Sequence, residues 1–159
     1  MNSTPSKTFY TFQNIIDQVD IILEKIKHKK FDAVIGIQRG GLIPAVMLSH
    51  SLDIPMHTLV CSLRDHKEDI EDVNLPIGIT NKVGDPKRKL KYLVIDDIND
   101  TGQTFIKLAN KLKDYDVEWA TLFNNKPSKF KVNYYAKLID KSVDPTWIVY
   151  PWELDKYSK

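Results

Sequence analysis

The chain has 159 residues, of which 42% are hydrophobic, and this length suits one compact domain over residues 1–159 rather than two. Its 23 basic and 21 acidic residues leave a formal charge of only +2, which does not indicate a nucleic-acid or membrane partner. The single cysteine excludes an internal disulfide, and no apolar stretch reaches the length of a transmembrane helix, so a cytoplasmic protein is expected.

Short apolar strands alternate with helices along the chain. The pattern predicts, in order, a helix over 15–26, a strand over 31–37, a helix over 42–52, a strand over 56–61, a strand over 93–95, a helix over 105–112 and a strand over 119–123. Such an alternation predicts an α/β fold, with a mostly parallel, twisted sheet flanked by helices that cover both of its faces.

A long polar stretch interrupts this pattern from Ser62 to Lys91. It is mixed in charge and contains Pro76, Gly78, Gly84 and Pro86. A segment of this length without apolar periodicity inside a compact domain is usually functional or mobile. The sequence therefore predicts a mobile flap over residues 62–91.

A pair of carboxylates and a hydroxyl-rich turn follow the next strand. The apolar run YLVI (92–95) stops at Asp96 and Asp97, and the segment DTGQT (100–104) comes just before a helix. Ligands bind at the carboxyl ends of parallel strands, where a helix N-terminus offers unpaired N–H groups to a phosphate. Carboxylates accept several hydrogen bonds at once, which suits a sugar diol. The combination is typical of a ribose 5-phosphate site.

An ordinary helix cap is the alternative explanation for part of this turn. Asp100 followed three residues later by Gln103 is an acceptable capping pattern. A capping pattern alone would favour the structural explanation, because short motifs match often by chance. The two consecutive acids upstream favour the ligand site instead.

The same stretch resembles the phosphoribosyl-pyrophosphate signature of the type I phosphoribosyltransferases, in which an apolar run, two acids and two further residues precede Asp-Thr-Gly-x-Thr. The resemblance implies a fold with a small base-binding hood and a mobile flap, and a substrate that is phosphoribosyl pyrophosphate. The residues expected to bind its ribose and 5-phosphate are Asp96, Asp97, Asp100, Thr101, Gly102, Gln103 and Thr104.

A second glycine-bearing turn, GIQRGG (36–41), follows the first predicted strand and is expected at the same sheet edge. Its glycines let backbone N–H groups approach an anion, and Arg39 offers a fork of donors; an ordinary tight turn with an exposed Arg39 is the alternative. In the family the matching loop binds pyrophosphate and often carries a cis peptide bond at the position of Gln38–Arg39. The residues expected to bind pyrophosphate are Gln38, Arg39, Gly40 and Gly41.

The C-terminal text, TLFNNKPSKFKVNYYAKLIDKSVDPTWIVYPWE, resembles the 6-oxopurine branch of the family, in particular bacterial xanthine-guanine phosphoribosyltransferases. The resemblance implies that Trp147 stacks on the purine, Lys126 donates to the purine 6-oxygen and the backbone of Ile148 meets the 2-position, within a base-binding segment over about 124–159. A tryptophan buried in the core and a solvated turn lysine are the alternatives.

The sequence departs from the family pattern at three places, which bear on the purine lysine, the flap and the choice of base. Two asparagines precede Lys126 where one residue is usual, so Lys129 is the alternative purine lysine. The flap begins SLRDH (62–66) and lacks the tyrosine that relatives commonly carry there. Val149 stands where the bacterial xanthine-guanine enzymes have an acid, so guanine, xanthine and hypoxanthine all remain candidate bases.

The implied reaction transfers ribose 5-phosphate to N9 of a 6-oxopurine and yields a nucleotide and pyrophosphate. Phosphates and carboxylates in one pocket would repel one another, so Mg²⁺ is expected as cofactor. Arg39 and Asp100 are the expected catalytic residues, with Asp100 near purine N7 by resemblance, where a general base contributes about 10²–10⁴-fold. The expected magnesium ligands are Asp96, Asp97 and Glu153. A homo-oligomer, dimer or tetramer, is also expected.

Two alternatives to this enzyme remain. A non-catalytic regulator on the same fold would sense phosphoribosyl pyrophosphate or a nucleotide and bind nucleic acid. Such a protein needs a basic face, whereas the lysine clusters at 27–30 and 87–91 are equally explained as solvated ends of elements. A pyrimidine-specific transferase is disfavoured by the C-terminal segment.

Overall fold

The computed structural model describes residues 6–61 and 90–153. The predicted flap therefore lies outside the described residues, apart from residues 90 and 91, and so do residues 154–159 of the predicted base-binding segment. The elements are, in chain order, β1 (Lys7–Phe9), α1 (Phe12–Ile26), β2 (Ala33–Gln38), α2 (Leu42–Leu52), β3 (Met56–Val60), β4 (Lys91–Asn99), α3 (Gln103–Lys111), β5 (Asp116–Asn125), β6 (Tyr134–Ile139) and β7 (Trp147–Val149). Within these ranges no helix is long and apolar enough to cross a membrane.

The sequence of helix α1 contains both a capping signal at its start and an apolar face. The Thr11 side chain accepts from the N–H of Asn14 (3.2 Å), and the Asn14 side chain accepts from the N–H of Thr11 (2.9 Å), so the two residues form a capping box. Ile15, Val19 and Ile22 recur on one face and are at most 1% exposed. The predicted amphipathic helix is confirmed.

Five strands form one parallel sheet in the order β3-β2-β4-β5-β6. Helices α1 and α2 contribute to the apolar cluster on one face of this sheet, and α3 contributes to the cluster on the other face. Because all five strands run in the same direction, their carboxyl ends meet at one edge. The predicted α/β fold with a parallel sheet between helices is confirmed.

A separate two-stranded parallel sheet joins β1 to β7. It pairs Lys7 with Trp147 and Phe9 with Val149, so the start of the described chain supports the strand that carries the expected purine platform. This small sheet carries Trp147, which the resemblance implies is part of a base-binding hood, and that role remains a prediction.

Strand β4 is longer than the sequence predicted. It begins at Lys91 and continues to Asn99, because main-chain pairing with β5 extends past the apolar run, from Asp96 opposite Thr121 to Asn99 opposite Asn124. The prediction that the strand stops at the carboxylates is therefore wrong. The strand begins at Lys91, the last residue of the predicted flap. The acidic pair lies within the strand, near its carboxyl end.

Strand β5 also extends beyond its prediction, to Asn125, so the first two residues of the predicted base-binding segment belong to the sheet. Strands β1, β6 and β7 were not predicted. Only three residues form β1 and three form β7, too few for a periodic signal, and β6 lies at the sheet edge with a mixed, partly exposed pattern.

Candidate active site

Asp96 and Asp97 form a tight acidic pair near the end of β4. The N–H of Asp97 donates to Oδ1 of Asp96 at 2.8 Å. Burial raises the pKa of the Asp96 carboxyl well above its usual range, and the negative charge of Asp97 raises it further. A positive charge from a ligand or an ion would therefore stabilise the ionised pair.

The glycine turn after β2 lies directly against this pair. A Cβ atom on Gly40 would lie 2.0 Å from Oδ2 of Asp97, and one on Gly41 would lie 2.4 Å from the carbonyl oxygen of Ile95. Only residues without a side chain allow the turn to come this close to β4. The two loops that the sequence predicted to share a ligand are therefore neighbours at one edge of the sheet.

The other residues of this turn have distinct positions. The peptide bond between Gln38 and Arg39 is cis, as the family resemblance implied. The Gln38 side chain donates to Oγ1 of Thr58 on β3 at 3.1 Å, and Arg39 is exposed. The N–H of Gly41 donates to the carbonyl oxygen of Ile37 at 2.9 Å, so Gly41 holds the turn together. Within this turn Gly40 therefore lies against the acidic pair, and Arg39 is exposed to solvent.

The turn before α3 has the form of an anion site. Gly102 caps the helix in the left-handed region, with φ of 87°, and contributes no side chain to its first turn. Thr101 Oγ1 lies 3.4 Å from the N–H of Gln103, and the carbonyl oxygen of Thr101 accepts from the N–H of Lys129 at 3.1 Å. Thr104 lies half-buried in the first turn. Backbone N–H groups and threonine hydroxyls therefore gather at the positive end of the helix dipole.

Asp100 does not cap this helix. Its carboxylate accepts from Nδ2 of Asn125 at 2.9 Å and from Nζ of Lys141 at 2.8 Å. Asn125 also donates to the carbonyl oxygen of Asp100 at 3.2 Å. The capping alternative for Asp100 and Gln103 is therefore wrong, and the acid is instead held by residues from β5 and from the loop after β6.

Asn125 and Lys141 are the site residues that sequence reasoning missed. The buried Asn125 side chain also accepts from the backbone N–H of Lys141 at 2.9 Å, and it thereby joins two loops. The Lys141 ammonium group lies over the Trp147 ring, 6.0 Å from its centre. A polar residue at the end of an apolar strand is a weak signal for Asn125, whereas nothing in the local sequence distinguishes Lys141 from its neighbours.

The expected base platform lies on β7. Trp147 is half-buried, and its backbone N–H donates to the carbonyl oxygen of Ser6 at 2.7 Å. The backbone N–H of Tyr10 donates to the carbonyl oxygen of Val149 at 3.0 Å. Backbone groups of successive strand residues alternate in direction, so the N–H and C=O of Ile148 point away from β1. That direction agrees with the expected backbone contact of Ile148 with a base.

Lys126 and Lys129, the two lysines that the resemblance suggests for the purine, are more exposed to solvent than Trp147. The Lys126 side chain is 71% exposed, and its Nζ lies 3.9 Å from Oδ2 of Asp140. Lys129 is likewise exposed. Their proposed contacts with the purine remain predictions.

Glu153 closes the described chain beside Tyr150. Its Oε2 accepts from the N–H of Tyr150 at 3.2 Å. Burial raises the pKa of the Tyr150 hydroxyl well above its ordinary value, and the negative charges of Asp97, Asp96 and Glu153 raise it further. The charges of all three expected metal ligands are therefore felt at one buried hydroxyl. In residues 6–61 and 90–153 no three His, Cys, Asp or Glu side chains are gathered closely enough to hold an ion by themselves.

The chain matches the phosphoribosyl transferase domain over residues 6–159. It is 29% identical over 126 residues to a xanthine-guanine phosphoribosyltransferase of Desulfotalea psychrophila, with 79% of this chain and 72% of the relative covered. A xanthine-guanine phosphoribosyltransferase of Idiomarina loihiensis is 28% identical over 139 residues, covering 85% and 79% of the two chains. The crystal structure of a purine phosphoribosyltransferase from Pyrococcus horikoshii is similar with a TM-score of 0.75 and 28% identity, covering 97% of this chain and 98% of the other.

The resemblance to the purine branch of the type I phosphoribosyltransferases is thereby confirmed. The matched region includes the acidic pair, both glycine turns and the strand that carries Trp147. The chain therefore belongs to the phosphoribosyl transferase domain family.

Proposed function

We propose that the protein is a purine salvage enzyme that transfers ribose 5-phosphate from phosphoribosyl pyrophosphate to N9 of a 6-oxopurine and releases pyrophosphate. The observation that carries this proposal is the contact between the glycine turn after β2 and the acidic pair in β4, in which a Cβ on Gly40 would lie 2.0 Å from Oδ2 of Asp97. Sugar-binding carboxylates beside anion-binding turns suit a ligand whose ribose lies between two anionic ends. Guanine, xanthine and hypoxanthine are the candidate bases.

The two anionic ends are bound by different elements. Thr101, Gly102 and Thr104 hold the 5-phosphate at the start of α3, with Gln103 contributing its backbone N–H group. Arg39 and Gly40 bind the pyrophosphate, and the guanidinium group stabilises the charge that accumulates on it as it departs. Asp96 and Asp97 accept from the ribose hydroxyls and favour positive charge developing on the sugar. Gln38 and Gly41 support this turn.

The acidic pair fits Mg²⁺ as the cofactor. Asp96 and Asp97 provide the oxygen ligands that Mg²⁺ prefers. Burial and then the charge of Asp97 raise the pKa of Asp96, so a bound cation would favour the ionised form of the pair. Because Mg²⁺ retains waters and binds substrate phosphates, two protein ligands suffice, and Asp96 and Asp97 would provide them. Glu153, the third in the proposed set, is not gathered with them in the described residues. When bound, the ion would supply charge neutralisation for the departing pyrophosphate.

The base lies between Trp147 and Asp100. The Trp147 ring provides a flat apolar surface for stacking, and the backbone of Ile148 meets the 2-position. Asp100 accepts the proton of purine N7 as N9 forms its bond to the ribose. Asn125 and Lys141 hold the Asp100 carboxylate at 2.9 and 2.8 Å, so that its oxygens are positioned before the base arrives.

Pyrophosphate release tests this proposal. The protein is incubated with phosphoribosyl pyrophosphate, Mg²⁺ and, separately, guanine, xanthine, hypoxanthine, adenine, uracil and orotate. Release is expected with one or more of the three 6-oxopurines and only in the presence of Mg²⁺. Release with orotate or uracil alone would contradict the proposal, as would no release with any base.

The nucleic-acid-binding regulator is the other candidate that the sequence raised. The ion-paired Asp100 supports the enzyme, because a non-catalytic regulator has no use for an acid held beside a base platform. A cytoplasmic location and a homo-oligomeric assembly remain predictions, as does the division of the chain into a single domain.

A further inference from the structure

Lys141 contacts the expected base platform as well as the Asp100 carboxylate. Its ammonium group lies 2.8 Å from Oδ2 of Asp100 and over the ring of Trp147, at 6.0 Å from the ring centre. The Lys141 side chain is only 23% exposed, whereas that of Lys126 is 71% exposed. Lys141 therefore lies between the acid and the stacking surface, and Lys126 does not.

The backbone of Lys141 is also fixed at this place. Its N–H donates to Oδ1 of Asn125 at 2.9 Å, and Nδ2 of the same amide donates to Oδ1 of Asp100 at 2.9 Å. One buried amide thus sets the loop of Lys141 relative to the loop of Asp100. The result is a hydrogen-bond donor and an acceptor side by side, with the donor over the Trp147 ring.

We propose that Lys141, rather than Lys126, donates to the 6-oxygen of the purine and selects 6-oxopurines over 6-aminopurines. The inference rests on the proposed function and names the residue that sets its substrate class. A base that stacks on Trp147 brings one edge against the Asp100–Lys141 pair. A 6-oxopurine protonated on N7 has a donor next to an acceptor on that edge, which complements a carboxylate next to an ammonium group.

A 6-aminopurine does not complement the pair. Its exocyclic amino group and its protonated N7 are both donors, so the amino group would face the ammonium group of Lys141, which has donors and no acceptor. A binding site that leaves a buried donor facing another donor rejects the ligand more strongly than one that merely lacks a contact. Discrimination therefore depends on the charge of Lys141.

The alternative is that Lys141 only orients Asp100. In that case its loss would slow transfer to every purine by the same factor, because the N7 proton is common to 6-oxo- and 6-aminopurines. A donor to the 6-oxygen affects only the bases that carry this oxygen. The ratio of kcat/KM for hypoxanthine to that for adenine separates the two roles.

The test compares Lys141→Met, Lys141→Arg and Lys126→Met with wild type, and Lys131→Met serves as the matched control because its side chain is exposed and outside the site. Lys141→Met is expected to lower kcat/KM for hypoxanthine by about 10- to 100-fold, the range for one hydrogen bond to a charged group. It is not expected to lower kcat/KM for adenine by more than about threefold, because the variant also removes the donor that faces the amino group. Lys141→Arg should retain part of the preference. Melting temperatures of all variants verify folding.

Binding of inosine and adenosine monophosphates, measured by titration calorimetry, gives the same comparison without turnover. The Kd of inosine monophosphate should rise by about 10- to 100-fold in Lys141→Met, and that of adenosine monophosphate should not. Equal losses for both ligand types, or a selective loss in Lys126→Met instead, would overturn the role of Lys141 while leaving the proposed function intact. A wild-type protein that neither releases pyrophosphate nor binds either nucleotide overturns both.

Discussion

A methyl group on Gly40 would lie 2.0 Å from Oδ2 of Asp97, closer than real side-chain atoms approach. Gly40→Ala must therefore displace either the turn or the carboxylate. We expect the KM for phosphoribosyl pyrophosphate to rise at least about tenfold, because an interaction of about 1.4 kcal/mol is a factor of ten in affinity. Steady-state kinetics with phosphoribosyl pyrophosphate as the varied substrate measure the change.

Gly36→Ala is the matched control for this substitution. Its added Cβ would lie 2.8 Å from Cβ of Ala45, where β2 packs on α2, and 3.0 Å from the carbonyl oxygen of Gly41, so it would clash with the packing of α2 rather than with Asp97. We expect a lower melting temperature there, since overpacking a core typically costs about 1–3 kcal/mol. A Gly40→Ala protein with an unchanged KM for phosphoribosyl pyrophosphate would show that the turn and the acid do not bind one ligand.

Asp100→Asn should lower kcat by about 10²–10⁴-fold, because an amide cannot take the N7 proton. The variant keeps the size of the side chain while losing its ion pair with Lys141. Circular dichroism should show an intact fold, and the exposed Asp114→Asn serves as the control. Turnover within about threefold of wild type would remove Asp100 from the proton transfer.

Trp147→Ala should raise the KM for the purine far more than the KM for phosphoribosyl pyrophosphate. Stacking of a base on an aromatic ring is worth about 1–3 kcal/mol, so the purine KM should rise roughly 5- to 150-fold. Trp152→Ala is the contrasting variant, because Trp152 stacks on the buried Tyr150 with ring centres 4.7 Å apart. It should lower the melting temperature without a selective effect on the purine. Equal increases in both KM values for Trp147→Ala would argue against the platform.

Glu118 lies near the start of β5, away from the carboxyl ends of the strands. We expect its ionisation to contribute to the pH dependence of the free energy of unfolding. Burial alone would raise the pKa of Glu118, but hydrogen bonds from Lys91 and Tyr134, with the charges of Lys91 and Lys29, lower it overall. The folded state therefore holds this proton more weakly than the unfolded chain. Its contribution to the free energy of unfolding is present above about pH 4.3 and is lost as the pH falls through the lowered value.

Glu118→Gln should lower the free energy of unfolding at pH 7 and flatten its decrease below about pH 4.3. It should also lower the pKa of Tyr134, which burial and the hydrogen bond to Glu118 raise to about 12. Urea unfolding from pH 2.5 to 7 and a tyrosine titration by NMR measure the two effects. A parallel shift of the whole pH curve, with Tyr134 unaffected, would contradict this explanation.

The parts of the fold that local patterns encode could be predicted from the sequence. The apolar face of α1 and the strand-turn-helix around Gly102 depend on residues that are neighbours in the chain. The extent of β4 could not be predicted in this way, because its last residues are ordered by pairing with β5. Asn99, for example, pairs with Asn124. Local periodicity contains no information about such a partner.

The same distinction holds within the candidate site. The acidic pair and the turn before α3 belong to one continuous motif, and the family resemblance identified it. Asn125 and Lys141 contact Asp100 from 25 and 41 residues further along the chain, so their role arises only once β5 and the following loop are packed. Site residues of this kind require the tertiary structure.

The pairing of β1 with β7 has a consequence for how the protein is made. It joins Lys7–Phe9 to Trp147–Val149, the two extremes of the described chain. During synthesis the ribosome releases every strand of the main sheet before β7 emerges, and contacts between such distant segments form late because they require the closure of a long loop. A nascent chain would therefore complete the proposed sugar-phosphate site before it completes the proposed base platform.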